Sequence, residues 1–211
     1  MQLDDAYANA PYIPGAEEFP PRWAEQAALF RAELGEQAEL GIAYGPSARQ
    51  AYDLFRVPAP KGTLIFVHGG YWLKFERARW SHFAAGAMAA GWSVAMVEYD
   101  LCPQVRIAEI TNQVAAAVTH IAGRTEGPLS LAGHSAGGHL VARILAPGML
   151  AADVLSRVSA VAPISPVADL RPLLQTSMNE QFGMDLAAAE AESPVLHPAP
   201  DIPVQIWVGA D

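Results

Sequence analysis

A serine flanked by glycines stands between a short apolar run and a helical pattern in this sequence. Residues 133–137 read Gly-His-Ser-Ala-Gly, with a strand pattern over residues 129–132 before them and a helical pattern over residues 138–145 after them. A strand-to-helix turn of this kind needs glycine to avoid clashes and lifts the serine hydroxyl above the sheet. The start of the helix also favours developing negative charge. We therefore predict that Ser135 is a nucleophile, the alternative being a plain helix N-cap.

A glycine-rich loop earlier in the sequence could supply the hydrogen-bond donors that a serine nucleophile needs for its oxyanion. Residues 68–72 read His-Gly-Gly-Tyr-Trp and come directly after the apolar run at residues 63–67. Backbone N–H groups of such a loop can stabilise the oxyanion of a tetrahedral intermediate, together with the N–H that follows the nucleophile. The predicted oxyanion donors are therefore Gly69, Gly70 and Ala136.

The side chains around these two motifs carry less specific signals. Tyr71 and Trp72 adjoin the oxyanion loop and are predicted to bind substrate as walls of an aryl pocket, although adjacent aromatic residues also occur as ordinary packing. Histidines beside such motifs more often hold a loop than catalyse, and this applies to His68, His134 and His139. We therefore assign none of these three histidines as the catalytic base.

Apolar runs and helical patterns alternate from Thr63 onward, which predicts the elements that position both motifs. Short continuous runs rich in β-forming residues are typical of strands covered on both faces in a parallel sheet. Their alternation with helices requires right-handed crossovers and places helices on both faces. The sequence therefore predicts an α/β fold, doubly wound around a mostly parallel sheet. The predicted strands are residues 63–67, 93–97, 129–132, 158–164 and 204–208, and the predicted helices are residues 77–90, 107–122, 136–145 and, less regularly, 170–191.

The N-terminal part of the sequence has a different pattern. Four prolines and a glycine within residues 9–22 predict an extended, irregular arm over residues 1–22 rather than a helix. Apolar residues at spacings of three and four from Trp23 to about Leu40 then predict an amphipathic helix that ends near Gly35 or Gly41, and residues 50–57 alternate like a strand. We therefore expect a single α/β domain over residues 23–211, preceded by the arm.

Composition and charge limit the partners of the chain. The net charge of −9 comes without a basic cluster that could bind a phosphate backbone, so no nucleic acid is expected as a partner. The apolar runs are far shorter than the roughly 20 residues of a membrane-spanning helix. Since the N-terminus also lacks a secretory pattern, we expect a cytoplasmic protein without a membrane partner. Cys102 has no disulfide partner, no cofactor or metal is predicted, and a homodimer is compatible with the sequence.

Several motifs together resemble one branch of the α/β hydrolases, the kynurenine formamidase (arylformamidase) group and the related hormone-sensitive-lipase-like esterases. The Gly-Gly-Tyr-Trp loop, the serine motif and the segments at residues 99–103 and 165–170 carry this resemblance. It implies a Ser-Asp-His triad in that chain order, with the acid placed just after a late strand. Asp211, which follows the run at residues 204–208, is then the predicted acid, and Asp169 is a weaker alternative.

The resemblance also implies a histidine base after the acid, because serine needs a positioned base to accept its proton. No residue follows Asp211, so we expect this sequence to be part of a longer enzyme whose final helix, strand and histidine loop carry the base. The internal alternative is His197, which lies in a proline-rich connection that could reach the same rim of the sheet.

The predicted reaction is the hydrolysis of a small acyl amide or ester through an acyl-enzyme formed on Ser135. The resemblance implies that the substrate is N-formylkynurenine. Two alternatives stay open at this point. One is a carboxylesterase with broad specificity for small esters, which would use the same residues, and the other is a non-catalytic binding module of the same fold.

Overall fold

The computed structural model describes residues 2–209, and one twisted sheet carries both motifs. The strands are β1 (Ala38–Ala43), β2 (Ala51–Phe55), β3 (Thr63–Val67), β4 (Ser93–Val97), β5 (Leu129–His134) and β6 (Val158–Ile164). Within the described residues they form one sheet in the order β1-β2-β4-β3-β5-β6, in which β1 and β2 pair antiparallel and the other neighbours pair in parallel. The prediction of a mostly parallel α/β sheet is confirmed.

Helices cover both faces of this sheet. The helices are α1 (Phe19–Leu34), α2 (Ala84–Ala89), α3 (Ile107–Arg124), α4 (Ala136–Arg143), α5 (Ala152–Leu155), α6 (Asn179–Phe182) and α7 (Leu186–Ala191). On one face, apolar residues of α1 and α2 pack around Phe55 and Phe66 of the sheet. On the other face, α3 and α4 pack against the neighbouring strand residues Leu54 and Ile65. Successive strand residues therefore serve two cores, which explains why the apolar runs are continuous.

The strands bring the two motifs together at one edge of the sheet. β3, β4 and β6 have the bounds that their apolar runs predict, and β5 continues two residues further, to His134. Val67 pairs with Val97 on one side and with Gly133 on the other. Because these strands are parallel and in register, the loops after β3 and β5 leave the sheet side by side.

The first helix begins earlier than predicted and ends next to Gly35, the first of its two predicted ends. α1 begins at Phe19, inside the region predicted as an extended arm. Pro20 and Pro21 lie in its first turn, where proline is tolerated because backbone N–H groups there have no intrahelical acceptor. The helix ends at Leu34 because Gly35 has a φ of 52°. A 3-10 turn, Gly35–Gln37, and then β1 follow, so the helix does not continue to Gly41. Two 3-10 turns, at Ala10–Tyr12 and Ala16–Glu18, lie within the predicted arm.

Three later segments are less regular than predicted. The pattern at residues 77–90 begins as a 3-10 helix, Arg77–Phe83, before α2. The pattern at residues 170–191 is divided into a 3-10 turn, α6 and α7, with a break at Gly183, whose φ is 59°. Residues 204–208 make only isolated parallel bridges to β6. Its backbone still bonds β6, since the N–H groups of Gln205 and Trp207 donate to the Val161 and Pro163 carbonyls at 2.9 and 3.1 Å.

Candidate active site

Ser135 is the single residue between the end of β5 and the start of α4. Its φ of 55° and ψ of −117° strain a residue that has a side chain, a state that persists only where neighbouring contacts impose it. The Ser135 N–H donates to the Ile164 carbonyl at 2.8 Å, and the Ser135 carbonyl accepts from the His139 N–H at 2.9 Å. The serine therefore lies on a sharp turn at the carboxyl edge of the sheet, as the motif predicts.

Close backbone contacts explain the glycines around this serine. A Cβ atom on Gly133 would lie 2.2 Å from the Gly137 carbonyl oxygen, and one on Gly137 would meet the end of β3 at 2.0 Å. A Cβ atom on Gly69 would lie 2.7 Å from the His134 carbonyl oxygen and 3.1 Å from Ser135 Cβ. Only glycine therefore allows the loop after β3 to lie directly against the serine.

The backbone N–H groups near Ser135 that donate no hydrogen bond to any of residues 2–209 include those of Gly69, Gly70 and Ala136. Gly69 and Gly70 line the same cavity as Ser135. Ala136 begins α4, where a free N–H and the helix dipole both favour an anion. The structure thus brings the predicted oxyanion donors together, while their role in binding an oxyanion stays a prediction.

The loop after Gly70 has an unusual backbone. Three of the residues 71–75 have φ between 56° and 79°, a region that residues with side chains rarely adopt. The N–H groups of Leu73 and Lys74 both donate to the Gly70 carbonyl, at 3.0 and 3.1 Å. This tight turn sends neighbouring side chains in different directions. Tyr71 lines the cavity next to Ser135.

Trp72, by contrast, is only 1% exposed and does not line the cavity. Its indole makes edge contacts with the rings of His139 and Phe182, with centroids 5.1 and 5.6 Å apart. The prediction that Trp72 binds substrate is therefore wrong, because the left-handed turn directs this side chain into the core. Trp72 packs in the core beneath the loop, against His139 and Phe182. Of the two aromatic residues, only Tyr71 lines the cavity.

His68 holds the start of the same loop. Its ring is buried, stacks on the Tyr99 ring with centroids 4.5 Å apart, and donates through Nδ1 to the Gly69 carbonyl at 2.7 Å. The Tyr99 hydroxyl donates to the His68 carbonyl at 2.7 Å. Burial lowers the pKa of His68 to about 4, so the ring is neutral at pH 7. His68 thus orients the loop, as expected for a histidine at this position.

Ser135 faces a cavity of about 540 Å³ whose opposite wall comes from the N-terminal segment. Phe75 and Trp80 add aromatic surface on the side of the sheet. This wall is not among the predicted elements, although apolar residues between the prolines, such as Ile13 and Phe19, are a signal that the segment covers another surface. The wall is formed by Ala8, Asn9, Ala10, Pro11, Ile13, Ala16, Phe19, Pro20 and Trp23.

Ion pairs hold the side of the cavity that belongs to the sheet. Arg77 pairs with Asp53 at 2.8 Å and also with Glu98, and Arg49 pairs with Glu98 at 3.1 Å. Arg49 further donates to the Phe75 carbonyl at 2.6 Å. Burial raises the pKa of Glu98, and the two arginines oppose that rise. The network ties the segment around Phe75 to β2 and to the end of β4.

No described residue supplies a base for Ser135. The Ser135 hydroxyl has no hydrogen-bond partner among residues 2–209. His139 is buried and its Nε2 bonds the Glu192 carbonyl at 2.7 Å. The alternative base, His197, bonds the Ala191 carbonyl at 2.8 Å and lines a separate cavity that does not include Ser135. The structure therefore does not bring His197 to the serine.

Of the two candidate acids, Asp211 and Asp169, only Asp169 lies in the described part of the chain. Asp211 lies outside the described residues. The segment before it runs parallel to β6, where Trp207 pairs with Ile164, and Ile164 pairs on its other side with His134. The segment thus leads toward the same edge of the sheet as Ser135. Asp169 instead makes a salt bridge with Arg171 at 2.7 Å, which lowers the pKa of its carboxyl group.

Other reactive groups offer no second site in the described part of the chain. Cys102 is buried, and burial raises the pKa of its thiol to about 11, which makes the nucleophilic thiolate rare. Across residues 2–209, no group of three or more metal-ligating side chains is close enough to hold a metal ion. Among the helices described here, none has the length and apolar character needed to span a membrane.

Two curated proteins of the same kind are similar in sequence. The chain is 32% identical to the kynurenine formamidase of Drosophila melanogaster over 174 residues, which are 77% of this chain and 58% of that protein. It is 30% identical to the kynurenine formamidase of Salmo salar over 175 residues, which are 78% and 58% of the two proteins. The chain therefore spans less than two thirds of the length of these relatives.

Solved structures and the family comparison agree with the fold. A candidate thioesterase from Silicibacter sp. TM1040 is 55% identical, with a TM-score of 0.97 over 99% of this chain and 80% of that one. Esterase B from Lactobacillus rhamnosis shares the fold at 23% identity, with a TM-score of 0.63 over 90% of this chain and 73% of that one. Residues 64–196, which contain both motifs, match the family described as alpha/beta hydrolase fold. The chain belongs to the α/β-hydrolase family.

Proposed function

We propose that this chain carries the nucleophile and the oxyanion donors of a serine hydrolase that cleaves a small acyl amide or ester. The observation that supports it most is the position of Ser135 on a strained turn, beside the unused N–H groups of Gly69, Gly70 and Ala136 and at the base of a cavity. Backbone strain of this kind is concentrated at functional sites.

The proposed reaction proceeds through an acyl-enzyme. Ser135 Oγ attacks the carbonyl carbon, and the carbonyl oxygen becomes an oxyanion that the N–H groups of Gly69, Gly70 and Ala136 bind. The serine proton passes to a base and then to the leaving amine or alcohol as the bond to it breaks. Water repeats the attack, releases the acid and restores the serine. In the Ser-Asp-His order, the acid is Asp211 and the base is a histidine that follows it.

We propose N-formylkynurenine as the leading substrate, which makes the enzyme an arylformamidase. The sequence similarity to two kynurenine formamidases supports this choice. The cavity supports it too, because Tyr71, Phe75 and Trp80 offer aromatic surface to an aryl group. Formyl transfer needs little space on the acyl side of the serine, where Gly69 lies against Ser135 Cβ.

A second candidate is an esterase or thioesterase for small acyl groups. The observation that favours it is the 55% identity to a candidate thioesterase over nearly the whole of this chain. Both candidates use the same residues and differ only in how the cavity fits the leaving group. The ratio of kcat/KM for N-formylkynurenine to that for p-nitrophenyl acetate and for an acyl thioester separates them. A preference for either ester by orders of magnitude would reject the formamidase.

The serine itself is tested by labelling the full-length protein with a fluorophosphonate. We expect Ser135→Ala to abolish labelling and to lower kcat by about 10⁴-fold or more. A matched control is Ser165→Ala, because Ser165 also follows a parallel strand with positive φ, 44°, yet lies outside the cavity. Labelling should survive in this control. No labelling of the unmodified protein would favour a non-catalytic binding module instead.

A further inference from the structure

Lys74 is the one formally charged side chain among the described residues that line the cavity of Ser135. Its ammonium group lies 5.4 Å from the Tyr71 ring centroid and 5.5 Å from the Phe75 ring centroid. Within residues 2–209 no carboxylate forms an ion pair with it. A cation over two aromatic rings keeps most of its surface free, so it can still bind an anion.

The backbone of Lys74 is fixed relative to the oxyanion loop. Its N–H donates to the Gly70 carbonyl at 3.1 Å, and a Cβ atom on Gly70 would lie only 2.2 Å from the Lys74 carbonyl oxygen. The side chain therefore starts from a defined point next to Gly69 and Gly70. Its flexible stem can then bring the ammonium group to a ligand in the cavity.

The other lysine of the sequence, Lys61, lies far from the cavity and offers a comparison. Lys61 precedes β3 and therefore lies at the opposite end of the sheet, where its ammonium group donates to the Ala90 carbonyl at 2.8 Å. In a chain with a net charge of −9, an exposed cation without an ion pair at the wall of an otherwise uncharged cavity is a local exception. It attracts negative ligands to the place where the rest of the surface repels them.

We propose that Lys74 is a specificity-determining residue that binds a carboxylate on the aryl side of the substrate. The substrate class is then an aryl amide or ester that carries a carboxylate, with the acyl group at Ser135. The catalytic part of this inference rests on the proposed function, whereas the binding of an aryl carboxylate does not.

The kinetic test compares two esters that differ only in charge, 3-acetoxybenzoate and 3-acetoxybenzamide, on the full-length protein. A hydrogen bond to a charged group is worth a factor of about 10 to 100. We expect Lys74→Met to lower kcat/KM for the benzoate by that factor and to change the benzamide less than about 3-fold. Lys74→Arg should retain most of the preference, and Lys61→Met should leave it unchanged. Equal losses on both esters, or no loss on the benzoate, would overturn the proposal.

A binding test separates this proposal from the proposed function. Benzoate and benzamide are titrated without turnover by tryptophan fluorescence, since Trp23 and Trp80 line the cavity. We expect benzoate to bind more tightly than benzamide, and salt or Lys74→Met to remove the difference. If this holds while no ester is hydrolysed, Lys74 binds carboxylates and the hydrolase proposal fails. If Lys74→Met binds benzoate as well as the unmodified protein does, the role of Lys74 is rejected whatever the activity.

Discussion

The two sides of the cavity are built in different ways. The floor, formed by the turn at Ser135 and the loop at residues 68–75, is attached to parallel strands in register and lies in close backbone contact at Gly69. The wall, formed by residues 8–23, crosses over the floor and is not part of the sheet. Its exposed residues include Tyr12, at 64%, and Ile13, at 47%.

A few polar contacts attach the wall to the body. The Tyr71 hydroxyl donates at 3.1 Å to the carbonyl of Tyr7, the residue directly before the wall, and Arg79 donates to the Pro20 carbonyl at 2.8 Å. Local opening costs least where few buried contacts must break, so the wall should open more readily than the floor. The difference suggests a division of tasks, in which the floor fixes the reacting atoms and the wall selects the substrate.

The largest effect is expected from a methyl group at the floor. In Gly69→Ala, the new Cβ would meet the His134 carbonyl oxygen at 2.7 Å, so the loop must move and its N–H groups no longer point at the oxyanion. We expect kcat for p-nitrophenyl acetate to fall by about 100- to 1000-fold, the loss typical of a missing oxyanion donor. Stopped-flow or steady-state rates give kcat, and circular dichroism shows whether the variant is folded.

The control for this variant is Gly86→Ala. Gly86 lies inside α2, and a Cβ there would meet no atom within 4 Å. This change should leave kcat unchanged and stabilise the protein by about 0.5–1 kcal/mol, because alanine favours a helix. A Gly69→Ala variant with unaltered kcat would show that the close contact at the floor does not position the donors.

Acid should destabilise the folded protein through His139 of α4, whose N–H donates to the Ser135 carbonyl of the floor. Burial lowers the pKa of His139 from 6.5 to about 4, so below pH 6.5 the unfolded chain binds a proton that the folded protein still excludes. The free energy of unfolding therefore decreases as the pH falls, by about 3 kcal/mol between pH 7.5 and pH 4 for this one residue. Urea unfolding at several pH values measures the decrease.

The variant His139→Gln isolates that contribution, since carboxylates elsewhere titrate equally in both proteins. Stability should depend less on pH in this variant than in the unmodified protein. His197→Gln serves as the control, because His197 lies near the surface and bonds only the Ala191 carbonyl. If His139→Gln and the unmodified protein lose the same stability on acidification, His139 is not excluded from protonation in the folded state.

The sequence predicts the floor well because the floor follows from local rules. β3 and β4 are short apolar runs, and the glycines around Ser135 report a turn that any residue with a Cβ would block. Each of these signals lies within a few residues of the element that it predicts. The prediction of Asp211 as the acid rests instead on the Ser-Asp-His chain order of the family that the sequence resembles. Asp211 lies outside the described residues.

The structures of the wall and of β1 could not be predicted from local sequence, because they depend on residues that are distant in the chain. Glu39 of β1 pairs with Arg124 of α3 at 3.1 Å, and β1 exists only as an edge strand beside β2. The prolines of the wall exclude a regular helix over most of it but do not reveal the cavity that it covers. Trp72 was misplaced for a local reason, since its left-handed backbone is unusual for tryptophan.

A change in the wall should affect substrate binding more than chemistry. Trp23 lines the cavity and its ring centroid lies 5.0 Å from that of Trp80. Removing the indole in Trp23→Ala deletes apolar surface worth roughly 1.5 kcal/mol or more, so we expect KM for an aryl substrate to rise by about 10-fold. Because the floor is untouched, kcat should stay within about 3-fold. Initial rates over a range of substrate concentrations separate the two constants.

Leu29→Ala is the matched control on the same helix, as Leu29 is 58% exposed and does not line the cavity. It should alter neither KM nor kcat. A Trp23→Ala variant that loses kcat while KM stays the same would contradict the division, since the wall would then act on the transition state.

The smallest effect is expected where the floor holds the wall. Tyr71→Phe removes the hydrogen bond to the Tyr7 carbonyl, and an average hydrogen bond contributes about 1 kcal/mol, or roughly a 5-fold change in a local opening equilibrium. Amide hydrogen exchange at residues 7–13 should accelerate by that factor, while kcat changes little because the hydroxyl takes no part in the reaction. Tyr52→Phe is the control, since the Tyr52 hydroxyl bonds His120, away from the cavity. Unchanged exchange in Tyr71→Phe would mean that apolar contacts alone keep the wall closed, and the wall would then resemble the floor more than its few polar contacts suggest.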